Sequence, residues 1–260
     1  MILAFDVGNS ETTIGMCEGH AVRERWRVTT SGNRTPDEVF LLLVALLDAS
    51  KVRRASVKGS VIASVVPSVT GTLAEACERL IGTAPVIVDA GSRLPISLEV
   101  DEPLTVGPDR IVNTLAASRL HKRDCIVVDL GTATTLDCIT SDGVFLGGVI
   151  APGVQMAAES LFRKTAKLAA TEIVPPKSVI GKRTDECIRA GVVLGSAEAI
   201  DGLVRRIKAA WPRRKVPVVI ATGGLATAFR DLCAEFDLIE PDLTLQGLAI
   251  AHGLLAKKRS

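Results

Sequence analysis

One short pattern occurs twice in this chain and limits the folds that the chain can adopt. An apolar segment at the N-terminus ends in "DVGNS", residues 6–10, and a second apolar segment runs into "DLGTATT", residues 129–135. The two acids, Asp6 and Asp129, lie 123 residues apart (129 − 6). In each copy a strand is expected to turn back on itself at a glycine and short polar residues. The repetition predicts a duplicated fold in which each half carries the same hairpin.

The elements around the two hairpins follow similar orders. The first half reads as three strands, a helix that begins at Thr35 and Pro36, a strand, a helix closed by Gly82, and a further strand. A helix is expected over 107–123, followed by strands around turns at Gly131 and at Asp142-Gly143, a strand over 216–224, and helices over 153–168, 185–211, 225–236 and 244–259. This order predicts an α/β protein with mixed sheets flanked by helices, and halves at 1–115 and 116–260.

Composition favours a small-molecule partner. Hydrophobic residues make up 47% of the 260 residues and charged residues 23%, which is typical of a globular protein with a substantial core. The net charge is +2, Tyr is absent, and only six Phe and two Trp occur, so a nucleic-acid partner is not expected. Asp6 interrupts the N-terminal apolar segment, and no run approaches about 18 apolar residues. We therefore expect a cytoplasmic protein with no membrane partner.

The spacing of the cysteines and histidines does not predict a metal site. No C-x-x-C pair occurs, and the three histidines are scattered. The six cysteines are also too far apart and too few for a disulfide scaffold, so we expect reduced thiols that are largely buried.

The chemistry of the two turns suits a nucleotide. Glycine lets backbone N–H groups approach a phosphate, short hydroxyl and amide side chains donate hydrogen bonds, and the acid attracts a hydrated cation. Two such turns across a cleft would hold the β- and γ-phosphates, and a flat nucleoside could lie against Gly223 and Gly224 in "ATGGLA". No G-x-G-x-x-G occurs, and Pro176 stands where a P-loop needs its first glycine. Taken singly, "DVGNS" could be a hairpin with an Asx turn and "TGG" a strand-to-helix turn.

Taken together, these motifs resemble the phosphate and adenosine motifs of the actin-like, chaperone and sugar kinase superfamily. Within it, the chain resembles the type III pantothenate kinases, because the six segments "DVGNS", "GPDR", "DLGTATTLD", "GGVIAPG", "IGKRT" and "TGGLA" occur in that family's order and approximate spacing. They span nearly the whole chain, and "GPDR" and "DLGTATTLD" are the most specific. The resemblance implies duplicated ribonuclease H-like (actin-like ATPase) domains with a cleft between the two halves.

The resemblance assigns the first turn to the phosphates of ATP. It implies that Asp6 helps to hold Mg²⁺ through water, while Gly8, Asn9 and Ser10 cradle the phosphates. The family usually has Thr where Ser10 stands, and Ser10 keeps the hydroxyl. The whole implied ATP segment is Asp6, Val7, Gly8, Asn9, Ser10, Glu11, Thr12 and Thr13.

The segment Gly107, Pro108, Asp109 and Arg110 resembles the family's substrate-binding loop. The resemblance implies that Asp109 accepts the proton of the attacking primary hydroxyl. Without the resemblance, an acid in the first turn of a helix is explained equally well by the helix dipole. Arg110 could pair with an anionic group of the substrate or with Asp109.

The remaining implied residues lie mostly in the second half. Asp129 resembles the ligand of a monovalent cation, K⁺ or NH₄⁺, and Thr132 an ATP contact, although both could simply close a duplicated hairpin. Thr184 resembles a substrate contact supplied by the second subunit of a homodimer, while in isolation it reads as an N-cap. Val100 stands where the family often has a Tyr that lines the pantothenate pocket, and this departure bears on substrate binding.

The expected activity is ATP-dependent phosphorylation of pantothenate to 4'-phosphopantothenate, the first step of coenzyme A biosynthesis. Two alternatives stay open at this point. One is a sugar kinase of the same superfamily, although the cysteine cluster of a common branch is absent. The other is a nucleotide-dependent regulatory protein with weak or lost catalysis.

Overall fold

The computed structural model of the chain describes residues 1–164 and 172–258. It contains two compact units. The first comprises Met1–His121 together with the C-terminal segment that starts at Asp242, and the second comprises Lys122–Pro241. In the described ranges, no helix is both long enough and apolar enough to cross a membrane.

The strands and helices are numbered in chain order. The strands are β1 (Ile2–Val7), β2 (Glu11–Glu18), β3 (Ala21–Thr29), β4 (Ser60–Ser64), β5 (Val86–Val88), β6 (Ser97–Leu98), β7 (Cys125–Leu130), β8 (Ala133–Ile139), β9 (Val144–Pro152), β10 (Val218–Thr222) and β11 (Leu238–Ile239). The helices are α1 (Pro36–Ala49), α2 (Pro67–Ile81), α3 (Pro108–His121), α4 (Val154–Lys164), α5 (Thr184–Arg189), α6 (Gly195–Ala209) and α7 (Leu243–Leu255). A π-helical turn, Ala190–Leu194, joins α5 to α6.

The sheet of the first unit has the strand order β3-β2-β1-β4-β5. Strand β2 is antiparallel to both of its neighbours, β1 and β3, whereas β4 and β5 run parallel to β1. Successive side chains of β1 point to opposite faces of the sheet, and helices cover both of these faces. Leu3 and Phe5 are buried with residues of α1 and α2, whereas Ala4 is buried with residues of α3 and α7.

The ends of the first two helices follow local rules. At the start of α1 the Thr35 hydroxyl accepts a hydrogen bond from the Glu38 amide, and the Glu38 carboxylate accepts one from the Thr35 amide. This reciprocal capping confirms the predicted start of the helix. Helix α2 ends at Gly82, which has a φ of 83° and closes the helix as predicted.

The last helix, α7, packs in the first unit although it comes at the end of the chain. Gly247 lies against the Val112 carbonyl of α3, so a side chain at 247 would block the approach of the two helices. The buried Thr244 hydroxyl also donates to Asn113 Oδ1 at 2.9 Å. Helix α7 therefore belongs to the first unit because of its packing against α3. The division of the sequence at 1–115 and 116–260 stays a prediction.

The second unit repeats the plan of the first. Its strands run in the order β11-β10-β7-β8-β9, with β7, β8 and β9 antiparallel and with β10 and β11 parallel to β7. Helix α6 covers one face, where Ile200 and Val204 are buried with Val128 and Val219. The predicted α/β class with mixed sheets and flanking helices is confirmed.

One predicted helix is wrong. Residues 225–236 form consecutive turns. The buried Asp201 carboxylate of α6 accepts hydrogen bonds from the amides of Ala234 (2.8 Å) and Glu235 (3.1 Å). A side chain therefore takes two amides that a helix would pair with its own carbonyl groups. The helical spacing of apolar residues here reflects the burial of Phe229 and Cys233 against α6.

The other predicted helices agree apart from their ends. The helix expected over 153–168 is α4 up to Lys164, and residues 165–168 lie outside the described residues. The helix expected over 244–259 is α7 with a 3₁₀ turn to Lys258, and residue 259 is likewise outside the described ranges.

Candidate active site

The first polar turn joins β1 to β2 in the first unit. Gly8 N–H donates to the Glu11 carbonyl at 3.0 Å, and a Cβ at Gly8 would lie 3.0 Å from that same oxygen. Asp6 pairs with Thr13 across the hairpin and with Ala63 of the parallel strand β4. The half-buried acid therefore lies at the carboxyl end of a central strand, directly before the turn.

A residue that the sequence patterns did not single out holds this turn. Thr30 follows β3, and its hydroxyl donates to the Gly8 carbonyl at 2.7 Å. Its backbone N–H donates to the Ser10 carbonyl at 3.0 Å. The only sequence signal is a Thr-Thr pair at the end of the third predicted strand, and pairing of β2 with β3 brings it to the turn.

The "GPDR" segment lies near the first turn within the same unit. Helix α3 begins at Pro108, which places Asp109 in its first turn. Asp109 Oδ1 occupies the space that a Cβ at Gly107 would need, and Val65 Cγ1 lies 4.0 Å from that same point. Val65 N–H in turn donates to the Val7 carbonyl at 3.0 Å. The structure therefore links the predicted substrate loop to the end of β1 through a single residue.

The second polar turn joins β7 to β8 in the second unit. Gly131 N–H donates to the Ala133 carbonyl at 3.1 Å. Asp129 pairs with Thr135 across the hairpin and with Thr222 of the parallel strand β10. The pairing repeats that of Asp6 in the first unit, although this turn is one residue shorter.

The glycine pair follows β10 beside this acid. Gly223 has a φ of 90°, a left-handed conformation that favours glycine. A Cβ at this position would collide with Asp129 Oδ1 and would lie 2.8 Å from the backbone N of Leu130. Gly224 is exposed directly after it. The structure therefore brings Asp129 and the glycine pair together at one corner of the second unit.

Thr132 belongs to the same corner. It is half-buried, and its carbonyl lies against Gly153, the residue that follows β9. A Cβ at 153 would clash with this carbonyl, so glycine there allows the turn and the end of β9 to approach each other. Of the residues predicted in the second half, Thr132, Asp129 and Gly223 thus share one site, whereas Thr184 is on a different element.

Thr184 is the first residue of α5 and is exposed. The N-cap is Arg183, so the alternative that Thr184 caps this helix is wrong. The backbone N–H of Lys182, just before the helix, instead donates a hydrogen bond to the Glu186 carboxylate at 2.9 Å. A hydrogen bond from Arg183 lowers the pKa of Asp185, so this carboxylate stays charged beside Thr184.

Two other predicted substrate residues lie in the first unit. Val100 is half-buried between β6 and the 3₁₀ turn Pro103–Thr105. Arg110 is half-buried in the first turn of α3, where its carbonyl accepts the Thr114 hydroxyl at 2.8 Å. Val100 therefore lies seven residues before the "GPDR" segment (107 − 100), and Arg110 is the last residue of that segment.

The buried thiols have no reactive character. Burial raises the pKa of four cysteines to about 12, so they stay protonated near neutral pH. These cysteines are Cys17, Cys77, Cys125 and Cys233. Cys187 is exposed at α5 and is a free thiol.

The described residues contain no group of three or more His, Cys, Asp or Glu side chains that could hold a metal ion. Asp6 and Asp129 instead each provide one carboxylate beside a turn with hydroxyl side chains. Oxygen donors of this kind suit hard cations that take their remaining ligands from phosphate oxygens and water.

Residues 2–206 match the family model for type III pantothenate kinase. The chain belongs to the type III pantothenate kinase family. Its relatives within that family include the type III pantothenate kinase of Thermomicrobium roseum, 40% identical over 252 residues, which cover 97% of this chain and 96% of the relative. The type III pantothenate kinase of Acidothermus cellulolyticus is 42% identical over 251 residues, which cover 96% of this chain and 97% of the relative.

Solved structures show that this type III pantothenate kinase family member has an actin-like fold. It is similar to a protein from Campylobacter jejuni described as a Baf family transcriptional activator, with a TM-score of 0.61, 16% identity, and coverage of 98% of this chain and 100% of that one. For MreB 5 of Spiroplasma citri the TM-score is 0.53 at 12% identity, with coverage of 99% and 97%. At such identities the likeness concerns the fold alone.

Proposed function

We propose that the protein transfers a phosphoryl group from ATP to pantothenate and forms 4'-phosphopantothenate, the first step of coenzyme A biosynthesis. The observation that carries this proposal is the family match over residues 2–206, together with relatives of the same name at 40–42% identity over nearly the whole chain. The actin-like fold is shared with proteins of other activities, so the fold by itself does not select the substrate.

We assign the phosphates of ATP to the first turn. Its glycine and short side chains leave room for a phosphate, and Asp6 stands directly before it. The single carboxylate with neighbouring hydroxyls fits Mg²⁺, which prefers few protein ligands and keeps several waters. When bound, Mg²⁺ would neutralise charge on the phosphates, and Asp6 would orient its water shell.

We assign the role of proton acceptor to Asp109. The side chain lies in the first turn of α3, and Val65 connects this segment to the end of β1. The carboxylate would orient the primary hydroxyl of pantothenate and take its proton as the new P–O bond forms. Because phosphoryl transfer depends mainly on positioning and charge neutralisation, one oriented carboxylate is sufficient.

We assign a monovalent cation, K⁺ or NH₄⁺, to Asp129. Asp129 Oδ1 lies 3.7 Å from the point that a Cβ at Gly131 would occupy, so the carboxylate is beside the turn that carries the Thr132 hydroxyl. Such oxygens suit a hard cation. In the same corner, Thr132, Gly223 and Gly224 are the proposed ATP contacts of the second unit.

We further propose that the protein acts as a homodimer and that Thr184 of one subunit contacts the substrate bound by the other. The support is that Thr184 is exposed and follows two exposed apolar residues, Val179 (74%) and Ile180 (79%). Apolar side chains exposed to this extent are typical of a surface that another chain covers.

The proposal is tested by incubating the purified protein with ATP, Mg²⁺ and pantothenate in K⁺, NH₄⁺ and Na⁺ buffers. We expect 4'-phosphopantothenate and ADP to form, with turnover that needs K⁺ or NH₄⁺. N-acetylglucosamine in place of pantothenate tests the sugar kinase alternative. Binding of ADP without turnover on either acceptor would contradict the proposal and favour a regulatory protein.

A further inference from the structure

The first polar turn is held from one side by a short chain of hydrogen bonds. The Thr30 hydroxyl donates to the Gly8 carbonyl at 2.7 Å and lies 2.8 Å from the Thr12 hydroxyl. A hydroxyl has only one proton to donate, so the proton between Thr12 and Thr30 belongs to Thr12. The hydrogen bonds therefore run from Thr12 to Thr30 and from Thr30 to Gly8.

The backbone of Thr30 holds the other end of the same turn. Its N–H donates to the Ser10 carbonyl at 3.0 Å. Gly8 N–H is also bonded, to the Glu11 carbonyl at 3.0 Å. Thr30 thus fixes both Gly8 and Ser10 through their carbonyl groups.

The donors of the turn remain available. In residues 1–164 and 172–258, neither the Asn9 amide nor the Ser10 amide of the backbone donates a hydrogen bond, and both residues are exposed. A turn whose carbonyls are bonded on one side and whose successive N–H groups are not bonded is arranged to receive an anion. The hydrogen bonds from Thr30 therefore help to set the orientation of the backbone amides of the turn.

We propose that Thr30 is a positioning residue for phosphoryl transfer, which orients the turn Gly8–Ser10 toward the phosphates of ATP. The inference rests on the proposed function, since it adds a residue to the same site. Thr12 acts through Thr30 because its side chain is only 6% exposed and its hydroxyl is the donor to Thr30. Thr30 would act through the turn, because its hydroxyl and its backbone N–H bond the carbonyl groups of Gly8 and Ser10.

Threonine suits this position for two reasons. Its β-branched side chain favours the extended backbone at the end of β3. Its hydroxyl is also directed by two contacts, because it donates to the Gly8 carbonyl at 2.7 Å and lies 2.8 Å from the Thr12 hydroxyl.

The test compares Thr30→Val, which keeps the shape and loses the hydroxyl, with Thr30→Ser, which keeps the hydroxyl. Thr29→Val is the matched control, because Thr29 is exposed and next to Thr30 in sequence. We would measure ADP affinity by calorimetry with Mg²⁺ present, and kcat and both KM values in the pantothenate assay. Thermal unfolding of each variant would report on the fold.

For Thr30→Val we expect about tenfold weaker ADP binding, which is the effect expected from the loss of one hydrogen bond. The KM for ATP should rise by a similar factor. The KM for pantothenate should not change, Thr30→Ser should restore most of the ADP affinity, and Thr29→Val should behave like the wild type. Wild-type ADP affinity in Thr30→Val, or equal losses in Thr30→Ser, would overturn the positioning role.

A second variant guards against a folding defect. Thr12→Val removes only the donor to Thr30 and should also weaken ADP binding, by a smaller factor than Thr30→Val. Unchanged affinity would count against the chain of hydrogen bonds.

The calorimetric readout also separates this inference from the proposed function. A wild type that binds ADP but does not phosphorylate pantothenate would refute the substrate alone, whereas a wild type that does not bind ADP would refute both.

Discussion

The Asp129 carboxylate lies against Gly223, where the neighbouring parallel strands β7 and β10 both end. Gly223 has a φ of 90°, and a Cβ there would collide with Asp129 Oδ1. The acid and the glycine are 94 residues apart in sequence (223 − 129). Parallel pairing of their strands places them in contact, so the proposed cation ligand and the proposed nucleotide contact depend on each other.

Gly223→Ala should therefore damage both the fold and the site. We expect a loss of about 1–2 kcal/mol in the free energy of unfolding from left-handed strain alone, and a displaced Asp129 carboxylate in addition. Urea denaturation and the kinase assay measure the two effects. Gly202→Ala in α6 is the control, because a Cβ there meets nothing within 4 Å and alanine favours a helix. Equal stability of the two variants would contradict the prediction.

Asp109→Asn should separate a catalytic acid from one that only stabilises a helix. If the carboxylate accepts a proton, kcat should fall by about 10²–10⁴-fold while the protein remains folded. If it only interacts with the dipole of α3, the expected effect is a stability loss of about 0.3–1 kcal/mol with kcat unchanged. Asp101→Asn changes an exposed acid eight residues before Asp109 (109 − 101) and should have the wild-type kcat.

Asp129→Ala should change the response to monovalent cations. We expect lower activity and a much weaker stimulation by K⁺, because the proposed carboxylate ligand is lost. Rates measured over a range of K⁺ concentrations, at constant ionic strength, give this response. Asp142→Ala removes an exposed acid from the turn between β8 and β9 and should retain the wild-type K⁺ dependence. A K⁺ curve for Asp129→Ala that superimposes on that of the wild type would refute the assignment.

Val100→Tyr should affect the acceptor substrate alone. A tyrosine at this half-buried position would add an aromatic wall and a hydroxyl, so we expect a lower KM for pantothenate and an unchanged KM for ATP. Leu104→Tyr is the control, since Leu104 is 80% exposed four residues further along. A pantothenate KM that does not fall in Val100→Tyr would remove this position from the substrate pocket.

His252 should make the first unit less stable in mild acid. Burial lowers the pKa of His252, whose ring lies against Gly59 in a cavity of about 350 Å³ that Glu18, His20 and Lys58 also line. The unfolded chain therefore binds this proton more readily than the folded one. The free energy of unfolding should fall as pH drops below about 6.5, the usual value for histidine, until the folded-state pKa is passed.

His252→Gln tests this dependence through the slope of stability against pH. We expect a flatter slope between about pH 7.5 and 5 in urea titrations. An unaltered slope in His252→Gln would show that another group is responsible.

The sequence by itself determined the local elements and the family. Thr35, Pro36 and Glu38 define the start of α1 through bonds between close neighbours, and Gly82 ends α2 in the same local way. The apolar strands that end in D-x-G predicted the two hairpins for a similar reason. Such features depend on residues only a few positions apart, so a sequence pattern records them directly.

Only the tertiary structure decided which distant residues meet. The turns at 225–236 follow from bonds to Asp201, and the place of α7 follows from its close approach to Val112 at Gly247. The contact of Thr30 with Gly8 likewise depends on the pairing of β2 with β3. The physical reason is the same in each case: the contact joins groups from 22 (30 − 8) to 135 (247 − 112) residues apart in sequence, and no local spacing encodes such a partner.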